Sequence, residues 1–159
     1  SLNIKKKNNN FPNTINAELA KPYYNDIFND KYKLHCLLAI VSLLNLSIIE
    51  GQKVNGLYSA SKQIIQIIAQ NEKWIIDFFL YLLKLLKLIG YEIEFNKNLP
   101  NQFFNLETLQ FEDSSTSRTI KFPHLLLNKE QKIDKQNANS FLKIFEIILQ
   151  NHHLNNKYN

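Results

Sequence analysis

The sequence predicts a mostly α-helical protein: a bundle of about four to five helices with a small β-hairpin insertion. Three observations carry that prediction. Apolar residues recur at three-and-four spacing through four separate stretches, the signature of helices with one buried face. Helix-ending glycines sit at the edges of those stretches, at Gly51, Gly56 and Gly90. Short extended runs with turn-forming neighbours occur mainly after Tyr91, too few for a sheet-based fold. With 159 residues, 45% of them apolar and only 3 Gly and 4 Pro, the chain can bury a substantial core and belongs to no collagen-like or low-complexity class.

Residues 1–14 are polar, rich in asparagine and without helical period, so they read as a loop. Thr14 to Leu19 alternates loosely and reads as one short strand before Pro22. The first strong helix is expected from Asp30, an N-cap residue type, to Ile49, with Leu34, Leu37, Leu38, Val41, Leu44 and Ile48 as its buried face. Gly51 ends it. A second helix is expected from Asn55 to Ala69, with Leu57, Ala60, Ile64, Ile67 and Ile68 inward and Lys62, Gln66 and Gln70 outward. Its isoleucines favour strands, but the length and the polar stripe decide for helix.

The third helix, Glu72 to Ile89, is the most apolar segment of the chain, and Gly90 stands where a left-handed C-terminal cap belongs. At about 100° per residue, Lys73, Asp77, Lys84 and Lys87 fall in one narrow stripe, and of the other residues only Leu80 joins them. A helix so patterned is surrounded on most sides and shows water one strip. Beyond Tyr91, Leu109–Phe111 and Thr119–Phe122 read as extended pieces separated by Ser114, Ser115, Thr116 and Ser117, a hairpin pattern. The last helix is expected from Gln136 to Asn151, with Phe141, Ile144, Phe145 and Ile148 on one face and Lys143, Glu146 and Gln150 on the other.

Composition bounds function. The formal net charge of +5 favours anionic partners, although the abundance of Asn, Lys and Ile, with Arg118 the lone arginine, also fits an AT-rich coding bias. A single cysteine, Cys36, forms neither an internal disulfide nor a multi-cysteine metal site, which fits a cytoplasmic protein, and among the leucines of the first helix it reads as a small buried residue. His35 beside it reads as a surface residue. The longest apolar run is broken by Asp77, Lys84 and Lys87 and falls short of the roughly 18 to 20 residues a membrane span needs. No methionine occurs, the expectation for a chain whose natural beginning lies before Ser1.

Chemistry leaves little trace. No phosphate-cradling glycine loop, nucleophile–base pair or metal-ligand spacing can be drawn, so no catalytic residue, metal or cofactor is expected. His152 and His153 are adjacent and diverge by about 100° on a helix, unlike a chelating i, i+4 pair. Glu92 with Glu94 and Glu112 with Asp113 read as solvated charge. An enzyme would need a pocket gathering His124, Glu112 or Asp113 with a nucleophile. The basic candidates are Lys5, Lys6 and Lys7, Lys21, the stripe of Lys73, Lys84 and Lys87, and the group Lys129, Lys132 and Lys135. A nucleic-acid site would need several of these on one surface, because affinity grows with the number of phosphates neutralised. Tyr23 and Tyr24 beside Lys21 suit the opening of a helical core better than base stacking.

Trp74 through Phe95, WIIDFFLYLLKLLKLIGYEIEF, resembles the central helix of the RecO family of recombination mediators, a leucine-rich helix ending in Gly-Tyr or Gly-Phe before a short extended piece. Upstream, KLHCLLAIVSLLNLSIIEGQKVNGLY resembles that family's helix, turn and next helix, with Glu50 at the turn and Leu57–Tyr58 opening the second helix. Downstream, FPHLLL and FLKIFEIILQNHHL resemble its last segments. The resemblance runs in order over about residues 15–155 and rests on hydrophobic pattern. It implies a C-terminal helical domain over 21–155, with residues 1–20 a remnant of an upstream OB-fold.

The resemblance also implies a function: DNA repair and homologous recombination in the RecF pathway. Family members bind single- and double-stranded DNA, anneal strands, and work with RecR and single-stranded DNA-binding protein to load RecA. Lys73, Lys84 and Lys87, with Lys5, Lys6 and Lys7, are then the candidates for DNA or an acidic peptide. Two departures stand out. Asn96, Lys97 and Asn98 occupy the region where many relatives carry cysteines, so no zinc is expected. Leu80, Tyr81 and Leu82 stand where relatives tend to have Arg-Phe-Glu, which removes the usual basic residue from docking of the acidic tail of single-stranded DNA-binding protein. The alternative reading is a generic helical protein-interaction module without DNA binding.

Overall fold

The computed structural model describes residues 2–5, 14–17, 24–49, 51–91, 93, 103–127 and 133–154. Within them lie five α-helices and a small three-stranded antiparallel sheet, beside a two-stranded N-terminal ladder. Strand β1 (Leu2–Lys5) pairs antiparallel with β2 (Thr14–Ala17), Leu2 opposite Ala17 and Ile4 opposite Ile15. The strand expected at Thr14 is therefore present, and it has a partner in a stretch whose composition reads as loop.

Helix α1 (Tyr24–Phe28) leads into α2 (Lys31–Ser47). Asp30 caps α2, its Oδ1 accepting from Tyr32 N at 2.8 Å and Lys33 N at 3.2 Å. The buried face of α2 differs from the expected one. Cys36, Ile40 and Ser47 are buried, while Leu38 and Val41 are 54% and 46% exposed. From Leu34 to Ile49 the helix and its cap carry no carboxylate or lysine, and apolar residues line both sides of it. Period alone cannot choose between two apolar faces. Burial pushes the Cys36 thiol up to about 12, which keeps it protonated and unreactive.

Helix α3 (Leu57–Gln70) lies against α1, α2 and α4 (Trp74–Leu88). It buries Ala60, Ser61, Ile64, Ile68 and Ala69, with Leu57 and Ile67 half-buried. Helix α4 is the mostly buried element its pattern predicts. Trp74, Phe79, Tyr81, Leu82, Leu85 and Leu86 are buried, and Lys73, Lys84 and Lys87 stay wet. Each fully buried leucine contributes about 1.5–3 kcal/mol relative to its exposed state. A buried hydroxyl pair, Ser61 Oγ with Tyr81 Oη at 3.0 Å, ties α3 to α4. Burial pushes the Tyr81 phenol up, and the Ser61 hydrogen bond works against that shift.

The end of α4 is a Schellman cap. Gly90 has φ +107°, Tyr91 N donates to Leu86 O at 2.9 Å, and Gly90 N donates to Lys87 O at 3.2 Å. The insertion that follows is three-stranded, in the order β4 (Phe111–Glu112), β3 (Phe103–Asn105), β5 (Thr119–Lys121). The two extended pieces read from the sequence thus flank a third strand and do not pair with each other. Asn105 holds the turn between β3 and β4: its Oδ1 accepts from Glu107 N and Thr108 N, and its Nδ2 donates to Glu112 Oε1 at 2.6 Å.

A 3₁₀ turn (His124–Leu127) and helix α5 (Lys135–Ile147) close the core. The expected face of Phe141, Ile144, Phe145 and Ile148 is buried, and the Phe141 ring meets Phe79 edge-on at 4.9 Å. Asp134 caps α5 through Asn137 N at 2.6 Å. The helix then widens into a π-helical segment, the strap, over Ile148–Leu154. No helix among the described residues is long and apolar enough to cross a membrane.

Candidate functional site

Antiparallel helices joined by short connections return to the same end of a bundle. The α2–α3 connection therefore lies beside the C-terminal end of α4, and Gly56 marks the contact: a Cβ built there meets Leu88 Cδ2 at 3.6 Å. Between them opens a hollow of about 590 Å³ lined by Gln52, Lys53, Val54, Asn55, Lys84, Lys87 and Leu88. Three ammonium groups from two elements surround it, and among the described residues its lining contains no acidic side chain.

Each lysine is placed by ordinary local rules. Lys84 and Lys87 sit three residues apart on the wet stripe of α4, where neighbours on one face are about 5–6 Å apart at Cβ. They occupy its last turns, where the negative end of the helix dipole tolerates clustered positive charge. Lys53 is presented by a tight turn: Gln52 N donates to Ile49 O at 3.0 Å, Ile49 N donates to Gln52 Oε1 at 3.3 Å, and Gly51 takes φ +80°.

The remaining candidates disperse. Lys73 precedes α4 at its other end, and the 11 residues to Lys84 span about 16 Å of helix, so Lys73 does not join the hollow. Lys5 lies in β1, and Lys6, Lys7, Lys21, Tyr23, Glu92, Glu94, Lys129 and Lys132 lie outside the described residues. Lys135 opens α5. Sequence reasoning missed Lys53. Helix parity was the available signal, because it brings the loop after α2 to the end of α4.

A smaller hollow of about 140 Å³ adjoins along α4, lined by Ala60, Gln63, Ile64, Ile67, Asp77, Leu80, Tyr81 and Lys84. Lys84 is common to both. Leu80, in the wet strip, is half-buried over the apolar floor of Ile64 and Ile67.

Residues 29–100 match the family model described as Recombination protein O C terminal. Over this stretch, a little under half of the chain, the protein is similar to the C-terminal domain of the RecO family. No curated protein and no solved structure matches the chain. The RecO-type segment spans α2, α3 and α4 and contains Lys53, Lys84, Lys87 and Leu80, so the whole basic hollow falls inside it. It points to a role in recombination and repair.

Beyond the RecO-type segment, His124 sits among rings, 5.0 Å from Phe122 and 5.9 Å from Phe111 between centroids. It lines a third hollow of about 410 Å³ with Lys121, Gln136, Asn137 and Ser140, which neither Glu112 nor Asp113 lines. Among the described residues no cluster of three His, Cys, Asp or Glu could hold a metal ion. His152 and His153 diverge, as adjacency predicts. His152 Nε2 lies 3.0 Å from Leu106 O and His153 Nε2 lies 2.9 Å from Ser47 O.

Proposed function

We propose that this chain is a mediator of DNA repair and homologous recombination in the RecF pathway, working without catalysis, in the cytoplasm, by holding DNA and repair proteins together. The observation that carries the reading is the basic hollow: three lysines from two elements, no carboxylate among the described residues of its lining, and a position inside the RecO-type segment. Lysine is a flexible point charge suited to phosphate, and each phosphate neutralised releases counterions. Single- and double-stranded DNA are the proposed ligands of the hollow.

RecR and single-stranded DNA-binding protein are the proposed protein partners. The smaller hollow supports docking of an acidic tail, because Ile64, Ile67 and Leu80 supply apolar surface beside Lys84. Leu80 in place of a basic residue leaves Lys84 as the cation at that edge. The apolar outer face of α2, with Leu38 and Val41 about half exposed, also supports protein contacts.

Fluorescence polarisation with a labelled single-stranded oligonucleotide, over a salt series, tests the reading. Binding should weaken as salt rises, and Lys53→Gln, Lys84→Gln and Lys87→Gln should each flatten the log–log slope by about 0.7 for every phosphate left without its cation. Absence of salt-sensitive binding to the oligonucleotide and to an acidic tail peptide would leave a generic protein-interaction module.

A further inference from the structure

The two lips of the basic hollow belong to segments far apart in sequence, yet one side chain touches the root of both. His153, in the strap, reaches Ser47 O at 2.9 Å, at the last residue of α2. A carbonyl oxygen only accepts, so Nε2 carries the proton and donates. Both the Nε2–H tautomer and the imidazolium do this, so the bond survives protonation of the ring. From Ser47 the chain passes through Ile48 and the Ile49–Gln52 turn to Lys53, the lip on the loop side. The same imidazole meets the Tyr91 ring edge-on at 5.9 Å. Tyr91 N closes the cap on Leu86 O, which lies between Lys84 and Lys87, the helix-side lip.

We infer that His153 is a positioning residue for the basic hollow, setting the separation of Lys53 from Lys84 and Lys87 without touching the ligand. This rests on the hollow being the anion site. The neighbouring histidine supplies an internal control. His152 belongs to the same strap and bonds a carbonyl of the same kind, but at Leu106, in the turn after β3 and outside the lining of the hollow. General loosening of the strap affects both histidines, whereas positioning of the hollow singles out His153.

The experiment uses the full 159-residue chain and a fluorescein-labelled single-stranded oligonucleotide, with circular dichroism melts on every variant. His153→Ala should weaken binding by about threefold to tenfold, the penalty of ordering one loop anew on association. His153→Gln, whose amide can donate to Ser47 O, should recover most of that loss. His152→Ala should bind as the parent chain does. In a Lys53→Gln background, His153→Ala should cost little more, because residues that act through one another are not additive.

Parent-like binding by His153→Ala, while Lys84→Gln/Lys87→Gln binds weakly, overturns the positioning role and leaves the anion site standing. Equal losses for His152→Ala and His153→Ala overturn it too. If Lys84→Gln/Lys87→Gln binds like the parent, the anion site itself fails and this inference with it. If His153→Ala does not fold, the decision passes to His153→Phe, which keeps a ring beside Tyr91 but cannot donate to Ser47 O: weakened binding restored in His153→Gln upholds the role, and parent-like binding by His153→Phe overturns it.

Discussion

The two ends of the α2–α3–α4 layer carry lysines in comparable number and use them differently. At the end where α4 begins, Lys33 Nζ donates to Ala69 O at 3.1 Å, Lys31 lies 5.2 Å from the Tyr32 ring centre, and Lys73 leads into the helix. Two of these cations serve the fold: Lys33 meets a helix-end carbonyl and Lys31 a ring, while the backbone N–H of Lys73 donates to Asn71 Oδ1 at 2.9 Å. At the other end Lys53, Lys84 and Lys87 surround a hollow whose lining, among the described residues, offers them no carboxylate. Lysine count is therefore a poor guide to function here. What distinguishes the ends is whether the chain supplies the negative partner or leaves it to a ligand.

The sharpest way to break that comparison is to reverse charge at one end at a time. Lys84→Glu/Lys87→Glu and Lys31→Glu/Lys73→Glu change net charge equally. The first pair should weaken oligonucleotide binding on the order of a hundredfold and the second by no more than about twofold, if local geometry and not overall charge sets affinity. Equal losses from both pairs would reduce the hollow to a part of a diffuse basic surface.

Gly90 tests how the functional end is held. Its chain neighbours apart, no heavy atom of the described residues lies within 4 Å of a Cβ built there, so the cost of Gly90→Ala is conformational, at φ +107°. That cost should be about 1–2 kcal/mol in a denaturant titration, with binding reduced because the cap orders the turn that carries Lys87. At the opposite end, Lys33→Met should lose about 1 kcal/mol with the removed bond to the α3 terminus and leave binding alone. Together the two variants separate an end built for stability from one built for a ligand.

Legibility follows the range of the interactions. Asp30 bonds to amides within three residues, Gly90 closes its own helix, and Phe141 to Ile148 repeats at one period, so each was readable in the sequence. Helix α2 was misread in orientation because Leu34, Leu37, Leu38 and Val41 are as apolar as the residues it buries. Strand β3 was missed because three residues leave little alternation to detect. Half of the candidate site was visible as the α4 stripe. Lys53 joins it across some thirty positions through helix parity, and His153 through a backbone carbonyl that any residue at position 47 would offer.

Position 47 therefore gives the smallest and most discriminating prediction. Ser47 is 2% exposed, and its hydroxyl has no hydrogen-bond partner among the described residues. A buried unpartnered hydroxyl costs about 1–3 kcal/mol. Ser47→Ala removes that cost while leaving a void of only one oxygen. The expected outcome is therefore a small gain, on the order of 0.5–1 kcal/mol, in denaturant titration. The carbonyl that His153 uses is untouched, so oligonucleotide affinity should not change. A fall in affinity on Ser47→Ala would mean that the hydroxyl, and not the backbone, links the strap to the basic end, and the asymmetry between the two ends would need a different cause.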